Sequence, residues 1–480
     1  MKKIFFKLLP VLFISIACSN HDNTIKNLDI EVREKLENLY LNYIKLSGYE
    51  LNELDHLIKV EDNKVIRLYF PLFYNGEIHY DSTSIQEISS FTNLQELNLF
   101  GLKYYPNGIE NIKTLKYLRV NLKKFNNFPF EKFKDKRLET LQVDSLQDSK
   151  LIESIYDLIS LKELIIRTSE IKKLSIKISN FKNVEELFIE GKINTLPEEI
   201  KSCSKLKTLK ICSDSLTSLP DAFQNFTELK MLYIYSKSKI DLPISLSNCK
   251  NVILFKLSGI INEYPECING MDSLGNLEID CGENGGFDSL SDGMNNLTRL
   301  HTLRIENPKL KYLPKSLSQT KLEFLEIRGA KLKNYKFPIE YNQLPLKHIE
   351  LFASKVGEFP PFLYDLTTIE EIKIIGGYFD SMRNPQPQKN WNNLKSLTIS
   401  GTELSALPDS LGYCRKLQTV DIQHNRLTTV PRSFANLGER LCFYWFGNPW
   451  KTLPKEMDWN CRDLNPCSVG YSNLPPAKRR

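Results

Sequence analysis

The sequence predicts an α/β solenoid, a stack of like units sharing one continuous core, and three observations predict it. A motif Leu-x-x-Leu-x-Leu, with Ile, Val, Phe or Tyr standing in at times, recurs from Leu94 to Leu441 at intervals averaging about 23 residues. Many of these motifs are followed by a second apolar pair ending in Leu-Pro or Val-Pro. A third apolar residue stands three positions before the next motif. The composition, 41% hydrophobic and 25% charged over 480 residues, is ordinary for a globular chain and excludes disordered, collagen-like and multi-span membrane classes. Length alone suggests roughly three domains of about 150 residues each. The periodicity replaces that expectation with a single array.

In chain order, the first element is an export signal over 1–17. Lys2 and Lys3 precede an apolar stretch from Leu8 to Ala17, too short for the roughly 20 residues that span a bilayer. Ala17 before Cys18 resembles the cleavage site of a bacterial lipoprotein signal, with Ser15 where that signal usually has leucine. The resemblance implies lipidation of Cys18, a tether over 18–29, and a bacterial outer-membrane lipoprotein held to the membrane only by its lipid, possible surface exposure included. Residues 30–46 carry apolar positions at helical spacing, so 30–64 reads as an N-terminal helical cap over the first strand's open core.

The repeats occupy 65–446. Val65-Leu68-Phe70 fits as a first, irregular strand, and Leu94-Leu97-Leu99 opens the regular series. Leu441-Tyr444-Phe446 closes it. Alternation puts the last two apolar residues of each motif on one face of a short strand and the residue between them on the other. The prolines at 197, 220, 243, 314, 408, 431 and 454 mark the turn onto the opposite side, because proline cannot donate to a strand ladder. Phe181, Cys203, Phe226, Cys249, Met271, Leu297, Leu366, Trp391 and Cys414 form the third apolar set, buried only when units stack.

These motifs resemble leucine-rich repeats, in particular the 23-residue Leu-Pro subclass of Ras-group plant proteins and bacterial repeat effectors. The resemblance implies a right-handed horseshoe solenoid with a parallel concave β-sheet and capped ends. The family usually has Asn two residues before the post-strand Leu. Here Asn425 obeys that rule, whereas Ser169, Asp214, Ala330, Ser354 and Thr402 stand in the slot elsewhere. Gly447-Asn448-Pro449-Trp450 resembles the start of a C-terminal repeat cap, so 447–480 reads as cap and basic tail, with a Cys461–Cys467 disulfide suited to an oxidising compartment.

Chemistry-bearing groups are sparse. Of the 10 cysteines, Cys203, Cys249 and Cys414 share one apolar slot and read as core. Cys461-Arg462-Asp463 superficially matches the Cys-x-Asp of bacterial repeat-effector ubiquitin ligases, which need a large helical domain after their repeats. The 6 histidines are scattered without metal-ligand spacing, and no phosphate-binding or nucleophile-elbow motif is present. No catalytic residue, metal or cofactor is therefore expected. A net charge of +6 spread along the chain makes no clustered basic face, so nucleic acid is not an expected partner.

The concave sheet is the expected functional surface. Its middle outward residues run from Asn98, Arg119, Gln142 and Ile165 through to Thr398, Asp421 and Trp445. Phe188, Tyr233 and Tyr235, with Ile165 and Met231, place aromatics near the centre, which fits either contact hot spots or cross-strand packing. Glu278, Asp280, Arg304, Glu306, Glu326, Arg328, Glu350 and Lys373 form a charged ladder, which fits either a binding patch or mutual neutralisation. Two over-long repeats insert residues near Gly282–Phe287 and Gly376–Gln388, and such insertions are expected to project as loops. Asp280, Glu283 and Asp288 beside the first lack the spacing of a known calcium loop. Asp-Ser-Leu at 144, 214, 288 and 409 resembles an O-glycosylation acceptor of exported Bacteroidetes-like proteins, with Ser145, Ser215, Ser289 and Ser410 as acceptors. The sum is a monomeric, non-catalytic binder of a protein or glycan, with an envelope scaffold as the second reading.

Overall fold

A computed structural model describes residues 25, 28–47, 49–70, 80, 82–123, 128–135, 137–146, 149–387 and 389–450. The signal, Cys18, Pro454 and the Cys461–Cys467 pair lie outside the described residues. The chain divides into two compact units, Met1–Phe125 and Asn126–Arg480.

In the first unit the predicted helix is α1 (Ile30–Ser47). It buries Leu36, Leu39, Tyr40 and Tyr43, which recur at helical spacing on one face. Strands β1 (Ile58–Glu61) and β2 (Lys64–Tyr69) form an antiparallel hairpin. Its two-residue turn, Asp62-Asn63, has both φ angles positive (48° and 55°), the geometry that matches strand twist and that Asp and Asn tolerate. The cap is thus a helix plus one antiparallel strand, where the sequence suggested a helix alone. From β2 onward the strands run parallel to β3 (Glu96–Asn98) and β4 (Tyr117–Asn121), with Leu68 opposite Leu97 and Leu97 opposite Leu118. The Tyr40 ring stacks on Phe70 at 5.1 Å, and its hydroxyl donates to the Tyr69 carbonyl at 2.9 Å, so α1 closes the core beside β2.

The second unit carries fourteen strands among its described residues. The first six are β5 (Thr140–Leu146), β6 (Glu163–Thr168), β7 (Glu186–Gly191), β8 (Thr208–Ser213), β9 (Met231–Lys239) and β10 (Leu254–Ile260). Then come β11 (Asn276–Asp280), β12 (Thr302–Glu306), β13 (Phe324–Arg328), β14 (His348–Phe352) and β15 (Glu371–Ile375). β16 (Ser396–Ser400), β17 (Thr419–Asp421) and β18 (Cys442–Tyr444) complete the set. Each pairs in parallel with the next, and as far as β17 in the register the motif implies, for example Leu277 opposite Leu303 opposite Leu325 opposite Ile349. Inward leucines are fully buried, and each stabilises the stack by about 1.5–3 kcal/mol.

Across the core from the sheet run short 3-10 helices, and the motif prolines 197, 243, 314, 408 and 431 begin five of them. Pro197, Pro243 and Pro314 sit at N-caps with φ near −73°, the angle a proline ring imposes, where its missing N–H costs nothing. All nine residues of the third apolar set are buried. Cys203 and Cys249 donate weakly to the Ile178 and Phe223 carbonyls at 3.6 Å, and burial pushes both thiols up to about 12.

Three expectations are corrected. In the last repeat Asp421 pairs with Tyr444, not Trp445, so Phe443 points inward while Tyr444 and Phe446 face out. Cys442-Phe443-Tyr444-Trp445-Phe446 has large apolar residues on both faces, so alternation could not fix its register. Second, the buried polar slot is filled by Thr168 and Ser213 rather than Ser169 and Asp214, because in those repeats it lies three residues before the next inward residue. Their hydroxyls donate to the Leu146 and Ile193 carbonyls at 2.6 Å, and Ser236 donates to Leu216 at 2.7 Å. Asn307, fully buried, also belongs to this ladder and donates to the Phe287 carbonyl at 2.9 Å. Third, the insertion near Gly376–Gln388 does not project freely. Phe379 is buried, the Arg383 N–H donates to the Tyr364 hydroxyl at 2.8 Å, and Trp391 stacks on Tyr364 at 5.7 Å.

Candidate ligand-binding face

The face of the second unit's sheet away from the core is the expected concave surface. Period-two geometry presents three outward residues per strand, and parallel register lines them up in rows across neighbouring repeats. The middle row reads Ile165, Phe188, Lys210, Tyr233, Lys256, Glu278, Arg304, Glu326, Glu350, Lys373, Thr398 and Asp421. It divides into two chemically distinct stretches.

The stretch over β10–β15 is ionic and largely satisfied. Lys256 Nζ lies 2.8 Å from Glu278, whose other oxygen takes Arg304 Nη1 at 2.8 Å. Arg304 Nε donates to Glu326 at 3.0 Å, Arg328 holds the second Glu326 oxygen, and Lys373 faces Glu350 at 3.6 Å. The arginines also lie over rings, Arg304 4.6 Å from the Phe324 centroid and Arg328 5.2 Å from that of Phe352. Asp280 is turned to its own loop, accepting from the Gly282 N–H at 2.9 Å and from Ser258 Oγ at 3.0 Å. Asp288 pairs with Lys311 at 2.7 Å. Among the described residues no group of three or more His, Cys, Asp or Glu side chains gathers to hold a metal.

The stretch over β6–β9 is aromatic. Phe188 and Tyr233 are half-buried, and Lys210 stands between them in register. Its ammonium is 4.6 Å from the Phe188 centroid and 5.8 Å from that of Tyr233, so the two rings flank a cation rather than packing on each other. Arg167 lies over Phe188 at 5.3 Å and is engaged by Asp144 at 2.8 Å and Glu190 at 3.1 Å. Lys210 has no carboxylate within ion-pair distance among the described residues. The sequence places this lysine in the middle outward row, but only the rings, not Lys210, stand among the candidate binding residues read from it. Tyr235 lies opposite Cys212 in the adjoining row, and burial raises its phenol. Gln142 continues the middle outward row opposite Ile165 but is buried there, donating to Asp144 at 3.4 Å. At the near edge Glu163 faces Glu186, and its carboxyl is held above the usual range by burial first and by that neighbour second.

No family model matches the chain. A curated relative, the adenylate cyclase of Schizosaccharomyces pombe, is 21% identical over 400 residues, 76% of this chain but 22% of that protein. The chain therefore spans about a fifth of that relative's length. A leucine-rich-repeat protein of Leptospira interrogans matches with a TM-score of 0.67 at 24% identity, over 80% of this chain and 96% of its own. The leucine-rich-repeat ectodomain of the Arabidopsis thaliana receptor kinase GASSHO1/SCHENGEN3, solved in complex with CASPARIAN STRIP INTEGRITY FACTOR 2, matches with a TM-score of 0.52. Its identity is 17%, over 78% of this chain and 50% of that one. TLR13, solved with ssRNA13, matches with a TM-score of 0.53 at 16% identity, over 77% and 59% of the two chains. Identities this low carry the fold and nothing finer. With its Leu-x-x-Leu-x-Leu strands in parallel register, the chain has the fold of a leucine-rich-repeat solenoid.

Proposed function

We propose that the protein is a non-catalytic ligand-binding lipoprotein of the bacterial cell envelope, anchored through Cys18 and binding a protein on the open face of its second unit. The observation that carries the binding claim is the Phe188–Lys210–Tyr233 constellation. Two rings flank a cation that no carboxylate among the described residues neutralises, beside an ionic stretch whose lysines and arginines are paired. Aromatics with a desolvated polar centre are the usual anchors of protein contacts. The protein-bound ectodomain among the structural matches supports this reading by fold analogy alone. The ionic stretch reads as a brace that holds the sheet around the anchor.

The test is a photo-crosslinking amino acid at Tyr235, beside the anchor, compared with one at Ile244 on the opposite side, in intact cells of the native host. A discrete adduct from Tyr235, absent with Phe188→Ala and Tyr233→Ala, is the expected result. Equal adducts from both positions, or none from Tyr235, would instead favour the scaffold reading. Incorporation of labelled palmitate, lost in Cys18→Ala, checks the anchor separately.

A further inference from the structure

The residue just before the first paired position of each strand forms a row along one rim of the sheet. Strand register carries this row, since Lys207 precedes Thr208, Lys230 precedes Met231 and Ile253 precedes Leu254, and those three strand positions pair in turn. On either side of its middle the row is zipped by ion pairs. Lys162 holds Glu139 at 2.9 Å, and Lys207 holds Glu185 at 2.6 Å. Further along, Lys347 holds Glu323 at 2.8 Å, and Lys395 holds Glu370 at 2.6 Å. Between those runs the row reads Lys230, Ile253, Gly275 and His301, and the zipper stops.

The interruption is aliphatic and carries an unanswered cation. The N–H groups of Ile253 and Leu254 both donate to the Lys230 carbonyl, at 2.9 and 3.1 Å, so the chain bends there and neither side chain enters the core. Ile253 is 47% exposed, and half-buried Leu254 lies directly opposite half-buried Met231. The Tyr233 hydroxyl is 3.9 Å from the Met231 sulfur, so the patch continues into the aromatic anchor. At the next repeat the rim has no side chain, and the His301 ring folds over Gly275 with Nε2 2.8 Å from where a Cβ would stand. Lys230 is exposed and, like Lys210, has no carboxylate within ion-pair distance among the described residues. Lys256, the other lysine beside the patch, is already held by Glu278 at 2.8 Å.

We propose that the protein ligand of the open face crosses the rim here, through a segment that sets an aliphatic side chain on Met231, Ile253 and Leu254 and a carboxylate on Lys230. The inference rests on the open-face reading above and adds to it the chemistry of the crossing segment. Three features select that chemistry. Lys210 and Lys230 lack carboxylates where the rim lysines on either side have them, so an acidic group is the complement. The backbone groups of β8, β9 and β10 are spent on one another, so a peptide cannot add as a strand and recognition falls to side chains. Nucleic acid wants a track of free cations and open ring faces, whereas the patch is aliphatic and the Tyr233 ring already carries Lys210.

The experiment measures fluorescence anisotropy of labelled peptides against the full chain, with octa-adenylate as comparator. Each peptide repeats Leu-Leu-Glu-Glu, Leu-Leu-Lys-Lys, Leu-Leu-Gln-Gln or Ser-Ser-Glu-Glu, so that in extended form both residue types appear on each face. The Leu-Glu peptide should bind about tenfold more tightly than any other probe, because it alone meets both the aliphatic patch and Lys230. Lys230→Glu should weaken it by about fivefold and Ile253→Ser by about threefold. Lys201→Glu and Ile244→Ser, in 3-10 helices across the core, should each change it by less than about twofold. Unchanged thermal unfolding certifies the variants. Equal affinity across the peptides, equal loss in the control variants, or tighter binding of octa-adenylate would overturn the proposal. So would dimerisation abolished by Ile253→Ser, which would make a second copy of the chain the occupant. The panel needs no native ligand and therefore tests the rim apart from the open face. In intact cells the Tyr235 adduct should weaken when Lys230→Glu and Ile253→Ser are combined. An undiminished adduct would leave the open-face reading standing and remove the rim as the ligand's path, whereas no adduct in the parent would overturn both.

Discussion

Arg304 and Glu326 face each other across β12 and β13, with Nε 3.0 Å from the carboxylate, and the Glu326 side chain is only 10% exposed. The same carboxylate is held by Arg328, and Arg304 also reaches Glu278 at 2.8 Å, so Glu326 is the keystone of the ionic stretch. Glu326→Gln keeps the shape but removes the charge that two guanidinium groups share. A loss of about 1–2 kcal/mol in urea unfolding is expected, discounted because both arginines are partly exposed. Ligand binding by the aromatic anchor should be unaffected at temperatures where the variant is folded.

Phe188 and Tyr233 should behave in the opposite way. Each ring is only half-buried, with a cation over its face, so Phe188→Ala or Tyr233→Ala should cost about 1 kcal/mol or less in stability. Loss of the crosslinked adduct, or an affinity loss of about tenfold, is expected from each. A variant that unfolds the chain while leaving binding intact would remove the anchor assignment.

Glu163 gives a pH signature. Its folded-state acidity lies above the ordinary carboxylate range, because of burial first and Glu186 second. A raised carboxyl binds its proton more tightly in the folded state. Its ionisation therefore costs stability once the pH rises past the unfolded value and through the folded one, and costs nothing below both. Glu163→Gln should raise the urea midpoint relative to the parent at pH 7.5 and leave it unchanged near pH 3.5. The reverse ordering would show the carboxylate to be stabilised by a partner.

Much of this was legible in the sequence for a physical reason. The inward row needs an apolar residue at a fixed interval, and Leu68, Leu97 and Leu118 announce their register without help from the rest of the chain. Alternating signs at Glu278, Arg304 and Glu326 likewise announced a charged ladder, though not whether it neutralises itself or binds a partner; the ion pairs between the three side chains come from the register. Legibility failed where the pattern degenerates. Phe443 and Tyr444 are both aromatic, so which one faces inward depends on pairing with β17. The polar slot shifted by one residue at Ser213 because a hydroxyl reaches a neighbouring carbonyl from more than one spacing. Lys210 was overlooked as a functional group since its neighbours at Phe188 and Tyr233 become neighbours only through parallel register.

Thiol labelling separates core from surface cysteines. Burial pushes the Cys203, Cys249 and Cys414 thiols up to about 12, and Cys212, on the open face, to about 11. At pH 8 the thiolate fraction of each is therefore very small. Iodoacetamide should modify exposed Cys442 first, Cys212 slowly, and the three core thiols only after denaturation, as read by peptide mass spectrometry. Native-state labelling of Cys249 would show that the stack opens locally there.

Asn425 concentrates the demands of the buried ladder at one side chain. Its Oδ1 accepts from the Thr402 N–H at 3.1 Å and from the Thr402 hydroxyl, while its Nδ2 donates to the Ile399 and Ile422 carbonyls at 2.6 and 3.0 Å. Asn425→Ala would orphan backbone groups in two adjacent repeats that water cannot reach. Each orphan costs about 1 kcal/mol or more, so a loss of about 2–4 kcal/mol is expected. Because repeats contact only their neighbours, the loss should be local. Hydrogen exchange should accelerate at Thr402 and Leu404 while the amides of β6–β9 keep their protection. Uniform acceleration across the second unit would mean that its repeats unfold as one cooperative block.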